Sequence, residues 1–335
     1  MTRRNGDGVD AFASSGPGTR ARRLLRVPEI TALFWIIKGL STAMGESTSD
    51  YLVHAIGPVP AVLLGFSFFL IALTLQFSRR RYLAWSYWFA VCMVGVFGTM
   101  AADVLHVGLG VPYAASSALY GVALALIFVA WRRSQGTLSI HSIDRVSREA
   151  FYWATVVATF ALGTAVGDMT AMTLHLGYFL SAVLFSAAIC VPAIGYWRFH
   201  WNAVFAFWFA YVITRPLGAS FADWMGKPTG AGGLGWGAGP VALAFAVLIV
   251  VFVAYLTITR RDVQDARTAR AADVRDEQTV HAAPPRLARQ RAVTTRRARG
   301  LVVRVLVWLV LLMALNALAF LVGYVLGPHF VAHVL

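Results

Sequence analysis

Four aspartates occupy one recurring position in this 335-residue chain. Asp50 follows Trp35 and Gly45, Asp103 follows Trp88 and Gly98, Asp168 follows Trp153 and Gly163, and Asp223 follows Trp208 and Gly218. The spacing is Trp-x9-Gly-x4-Asp in all four, with an aromatic residue just before each tryptophan (Phe34, Tyr87, Tyr152, Phe207). Carboxylates offer hard oxygen ligands to a cation and can also carry protons. Within an apolar segment each costs a few kcal/mol, so such groups face a bundle interior or a water-filled cavity. The competing reading places each aspartate at the water interface, capping the turn into the next helix. Glu46 stands four residues before Asp50, so two carboxylates share one helix face. Lys38 lies deeper in the same run, and Arg215, followed by Pro216, lies in the fourth. The expected pairs are Glu46 with Arg215 and Lys38 with any of the aspartates. Where repeat one has Glu46 the others have Thr99, Thr164 and Ala219. That is a symmetric scaffold with an asymmetric site, or equally a structural ion-pair network. His54 and His106 follow Asp50 and Asp103 by four and three residues, spacings that can chelate a transition metal if the helix continues. Ordinary interfacial histidines are the alternative, and His329 and His333 near the C-terminus raise the same question.

The elements that carry these residues are apolar helices. The chain is 59% hydrophobic and 13% charged, with a mean hydropathy of +0.67. A soluble domain is nearer a quarter charged, so an ordinary soluble enzyme and extensive disorder are both excluded. Nine segments are long enough to span a bilayer: roughly 30–49, 58–77, 83–104, 112–131, 150–170, 176–196, 201–224, 239–258 and 302–326. The first contains Lys38 and Glu46 and does not read as a cleavable leader. Arginines crowd the N-terminal tail and alternate loops, whereas the opposite loops hold only Lys227. Basic loops stay cytoplasmic, which places the N-terminus inside, the aspartates toward the outside and the C-terminus outside. The net charge of +14 therefore needs no nucleic-acid partner. Cys92 and Cys190 each lie in an apolar run and offer no metal or disulfide framework.

With this fourfold register the chain resembles a family of bacterial membrane proteins built from four tandem copies of a "repeat of unknown function", each with two transmembrane segments and a characteristic tryptophan. The resemblance covers about residues 30–260 and implies four hairpins, without implying an activity. The expected organisation is a basic tail (1–29), repeats at 30–81, 82–133, 146–199 and 200–261, a charged linker (262–300), and a ninth helix with the C-terminus (301–335). The fold class is all-α: a polytopic transmembrane bundle of four parallel-oriented two-helix repeats, pseudo-fourfold or two-by-two. The charged odd helices belong inside and the uncharged even helices against lipid. Fifteen residues of helix rise about 22 Å, so each tryptophan lies near the cytoplasmic interface, where its ordinary role is a belt anchor. The motif glycines lie off that face and permit close helix approach.

No phosphate-binding loop, HExxH motif or nucleophile elbow is present, so the chain is not read as an enzyme and no resident cofactor is expected. The favoured function is a transporter or permease for a small cation, above all a divalent metal ion such as Mn²⁺, moved in exchange for protons by the intramembrane carboxylates. The alternative is a non-transporting scaffold or sensor acting through its basic linker. The expected partners are the lipid bilayer of a bacterial inner membrane, a small cation and protons. The oligomeric state is left open.

Overall fold

A computed structural model describes residues 25–263. The basic tail up to residue 24, the linker from 264, the ninth apolar segment and His329 and His333 lie outside the described residues. Eight long helices follow one another: α1 (Ala32–Ile56), α2 (Pro58–Ser78), α3 (Ala84–Asp103), α4 (Tyr113–Gln135), α5 (Val146–Asp168), α6 (Gly177–Phe199), α7 (Ala203–Gly226) and α8 (Ala238–Thr259). Thr31 opens α1 by accepting the Phe34 N–H, and Asn202 opens α7 by accepting from Val204 and Phe205. Gly57, at φ 83°, lets α1 turn directly into α2.

Seven of these helices, α2 to α8, are long and apolar enough to cross a membrane, as in a multi-pass membrane protein. The helix α1 is equally long, but Lys38, Glu46 and Asp50 lower its hydropathy. The odd helices α1, α3, α5 and α7 form a closed ring in that order, with α7 returning to α1. Each return helix packs chiefly on the first helix of the next repeat: α2 on α3, α4 on α5, α6 on α7, and α8 on α1. No repeat is self-contained, and α8 against α1 closes the cycle. The most apolar windows of α3, α5 and α7 are 83, 89 and 61% buried, against 22–33% for the even helices. The even helices therefore present Leu64, Ile71, Leu126, Leu180 and Val250 outward, as lipid-facing surfaces do.

The ring is filled in layers. Residues four apart recur along one stripe of each odd helix and step about 6 Å along the axis per layer. From the tryptophan end the layers are Phe34, Tyr87, Tyr152, Phe207; then Lys38, Val91, Val156, Tyr211; then Thr42, Gly95, Phe160, Arg215; then Glu46, Thr99, Thr164, Ala219; and last the four aspartates. Every member is buried except Asp50, Asp103 and Asp168, which are half-buried.

The tryptophans are not belt anchors. Trp88, Trp153 and Trp208 are buried and only Trp35 is partly exposed. Each aromatic residue packs on the tryptophan of the next repeat: Phe34 on Trp88 at 5.6 Å, Tyr87 on Trp153 at 5.6 Å, Tyr152 on Trp208 at 6.1 Å and Phe207 on Trp35 at 5.7 Å. The Tyr87 and Tyr152 hydroxyls also bond to each other. This cyclic collar closes the axis at the tryptophan end. A belt anchor needs a free face toward lipid, and here the packed return helices and the collar take that face. Pro216 likewise does not interrupt α7. It packs beside Gly163, where a Cβ would lie 3.0 Å from its Cδ.

The motif glycines do permit close approach. A Cβ on Gly45 would stand 2.7 Å from the Gly95 carbonyl carbon, and one on Gly218 2.0 Å from Thr42 Oγ1. A Cβ on Gly98 would stand 3.0 Å from Phe160. Gly45→Val is expected to lose about 2–3 kcal/mol of stability, because backbone rather than a flexible side chain opposes it. Gly39→Ala, with nothing within 4 Å, is the neutral control. Thermal unfolding of detergent-purified variants checks both, and equal melting temperatures would contradict the packing.

Candidate functional site

All four aspartates and Glu46 line one cavity of about 360 Å³ at the end of the ring opposite the aromatic collar. Val53, Val62, Met100, Met172, Tyr113 and Tyr178 provide much of the remaining wall. Four consecutive repeats deliver one carboxylate each because the axial stripe ends at the same register in each odd helix. In repeats two and three the helix widens into a π turn directly after the aspartate, at Val104–Gly108 and Met169–Thr173. In repeats one and four the α-helix continues past it. The cavity thus has a two-by-two character within its fourfold frame.

The charges divide it further. Lys227, just past α7, reaches back to Asp50 Oδ2 at 2.5 Å and Asp223 Oδ1 at 3.6 Å. Burial lowers its pKa, but Asp223 and Asp50 outweigh that and hold it well above a lysine's ordinary value. Lys227 therefore stays an ammonium ion at any physiological pH. Asp103 and Asp168, on the neighbouring helices α3 and α5, are in ion-pair distance of no cationic side chain among the described residues.

Directly beneath the aspartates the axis is blocked. Arg215 is fully buried and its Nη2 donates to Glu46 Oε2 at 2.7 Å and Thr164 Oγ1 at 2.7 Å, with Thr99 Oγ1 also bonded. The expected Glu46–Arg215 pair is present, and both threonines at the Glu46 position serve the same guanidinium. Arg215 Nε and Nη1 have no hydrogen-bond partner among the described residues. Lys38 pairs with no aspartate. Its axial layer lies three steps below theirs, about 18 Å along the helix. Its Nζ instead sits 4.2 Å from the Phe160 ring centroid and 4.4 Å from that of Tyr211, with no hydrogen bond among the described residues. Arg215 lies against the same Phe160 ring at 5.1 Å.

His54 lines the cavity with the carboxylates, whereas His106 does not. His54 Nδ1 meets the Asp50 carbonyl oxygen at 2.7 Å, which is helix-terminal bonding at the cavity rim. His106 lies in the π turn. It stacks on Tyr113 at 4.2 Å and approaches Ser116 and the Val111 carbonyl. Among the described residues no three His, Cys, Asp or Glu side chains are grouped so as to hold a metal ion. Sequence reasoning did not assign Lys227, Tyr113 and Tyr178 to the site. Lys227 was discoverable from its position four residues after Asp223; the tyrosines, one on each of two return helices, carried no such signal.

A family model described as Repeat of Unknown Function (DUF347) matches the chain at residues 33–82, 86–137, 151–201 and 206–262. The chain belongs to this family. Each matched repeat begins one residue before the aromatic–tryptophan pair and runs through the aspartate into the return helix, so the family's unit is the hairpin that supplies one collar contact and one cavity carboxylate. No curated protein and no solved structure matches the chain.

Proposed function

We propose that this multi-pass membrane protein is a transporter for a small cation, with the aspartate cavity as its binding site. The observation that carries the reading is the charge imbalance around one cavity. Five carboxylates face two cationic side chains, Arg215 and Lys227. Half-buried carboxylates without an ion-pair partner recruit either protons or cations. Exchange of one for the other at Asp103 and Asp168 is the elementary step of proton-coupled movement. With the arginine-rich loops on the cytoplasmic side of a bacterial inner membrane, the cavity opens outward and the collar closes the inner side. Release on the other side then requires the ring to reopen at the collar, as alternating access demands. A divalent metal ion fits this frame only if it keeps most of its waters, as Mg²⁺ does, because the carboxylates are spread around the wall rather than gathered into a chelate.

One observation favours a second reading, a membrane protein that senses a cation without moving it. Arg215 puts a permanent positive charge on the axis below the cavity, with the Lys38 amine beneath it, and a fixed positive charge opposes cation passage. The two readings separate in proteoliposomes. A transporter accumulates a labelled cation against an imposed proton gradient, and Asp103→Asn/Asp168→Asn reduces that flux to the protein-free level while insertion is unchanged. Whole-cell elemental analysis across added divalent ions tests the metal form. Wild-type flux no greater than the protein-free level would sink the transport proposal, and flux that survives the double substitution would sink the aspartate site.

A further inference from the structure

Lys227 shows which chemical group the cavity accommodates. Its side chain is a primary alkylammonium on a four-carbon stem, and the ammonium is held between Asp50 and Asp223 of adjacent helices. Half a turn around the ring, two repeats on, the equivalent aspartates are Asp168 and Asp103 on α5 and α3. They line the same cavity and no lysine or arginine among the described residues pairs with them. We propose that the Asp103–Asp168 half of the cavity binds the terminal ammonium of a small aliphatic amine, as the Asp50–Asp223 half binds that of Lys227.

This rests on the cation-site reading above and names its ligand class. Three further observations support an amine over a metal ion. The carboxylates form no metal-holding group, and an ammonium needs only two or three acceptors, without a coordination polyhedron. The wall beside Asp103 and Asp168 is Met100, Val104, Met172 and Tyr113, which suits methylene groups, and a tyrosine face attracts a cation. The cavity also holds far more than one ion. At about 30 Å³ per water, 360 Å³ leaves room for an alkyl chain.

The test is calorimetric titration of the purified full chain with butylammonium, 1,4-diaminobutane and Mn²⁺. Butylammonium is expected to bind at about one per chain and to weaken about tenfold or more in Asp103→Asn/Asp168→Asn. Lys227→Gln frees the equivalent aspartates and is expected to raise the stoichiometry to about two, which keeps the proposal testable should the double variant fail to fold. Mn²⁺ should not displace the amine. Tight Mn²⁺ binding that depends on Asp103 and Asp168 and excludes the amine would overturn the proposal while leaving a cation site. Amine binding that both variants leave unchanged would overturn it too. Amine binding as expected, with no flux in proteoliposomes, would leave it standing and remove transport instead.

Discussion

Arg215→Met is expected to cost about 3–5 kcal/mol of stability, and adding Glu46→Met is expected to restore most of it. The guanidinium is fully buried and Glu46 is 4% exposed. Removing the cation alone strands a carboxylate under four aspartates, where it has only a 3.3 Å contact from Thr99. Removing both partners leaves methionines beside the threonines across two adjoining layers. The threonines are not orphaned by this, because Thr99 Oγ1 also donates to the Gly95 carbonyl at 3.0 Å and Thr164 Oγ1 to the Phe160 carbonyl at 3.2 Å. Glu46→Met alone should be at least as damaging as Arg215→Met, since it leaves a fully buried guanidinium without its carboxylate, beside Lys38 on one Phe160 ring. Unfolding of the four proteins of this cycle in one detergent gives the coupling energy directly. Additive single effects would mean that the pair is not the keystone of the axial layer.

The fourfold register, the parallel hairpins and the inside–outside division of the helices were legible in the sequence because they depend on periodicity and on the cost of charge in lipid. The Glu46–Arg215 pair was legible for a related reason. In a symmetric ring a charge present in one repeat must find its complement in another, and these two lie one layer apart. What the sequence did not disclose depends on azimuth. The tryptophan stripe faces the next repeat instead of the lipid boundary because each return helix packs one repeat onward, and no residue type reports that choice. The π turns after Asp103 and Asp168 depart from the register that an α-helix implies, and neither segment carries a proline or glycine pair that announces it. Lys38 was misjudged through distance. An intramembrane lysine was expected to seek a carboxylate, yet two layers of side chains separate it from the aspartates, and the nearest electron-rich partners are aromatic rings.

That placement makes Lys38→Met the substitution with the most informative sign. A buried amine without a hydrogen bond among the described residues loses its hydration outright, at about 1–3 kcal/mol, and more when it carries its proton. It also faces Arg215 across Phe160. The contacts with Phe160 and Tyr211 return about 2 kcal/mol at best. Methionine nearly matches the lysine stem and keeps a favourable sulfur–aromatic contact. Lys38→Met is therefore expected to stabilise the chain by about 1–2 kcal/mol, seen as a raised melting temperature in detergent. A lowered one would show that the two ring contacts hold the inner axis together. If stability rises while proton-driven cation flux in proteoliposomes falls, the lysine is maintained at a cost to the fold. Its charge then governs passage between the cavity and the collar. If stability rises and flux is unchanged, the barrier on the axis belongs to Arg215 alone, and any moving part of the ring must act on the Glu46–Arg215 layer.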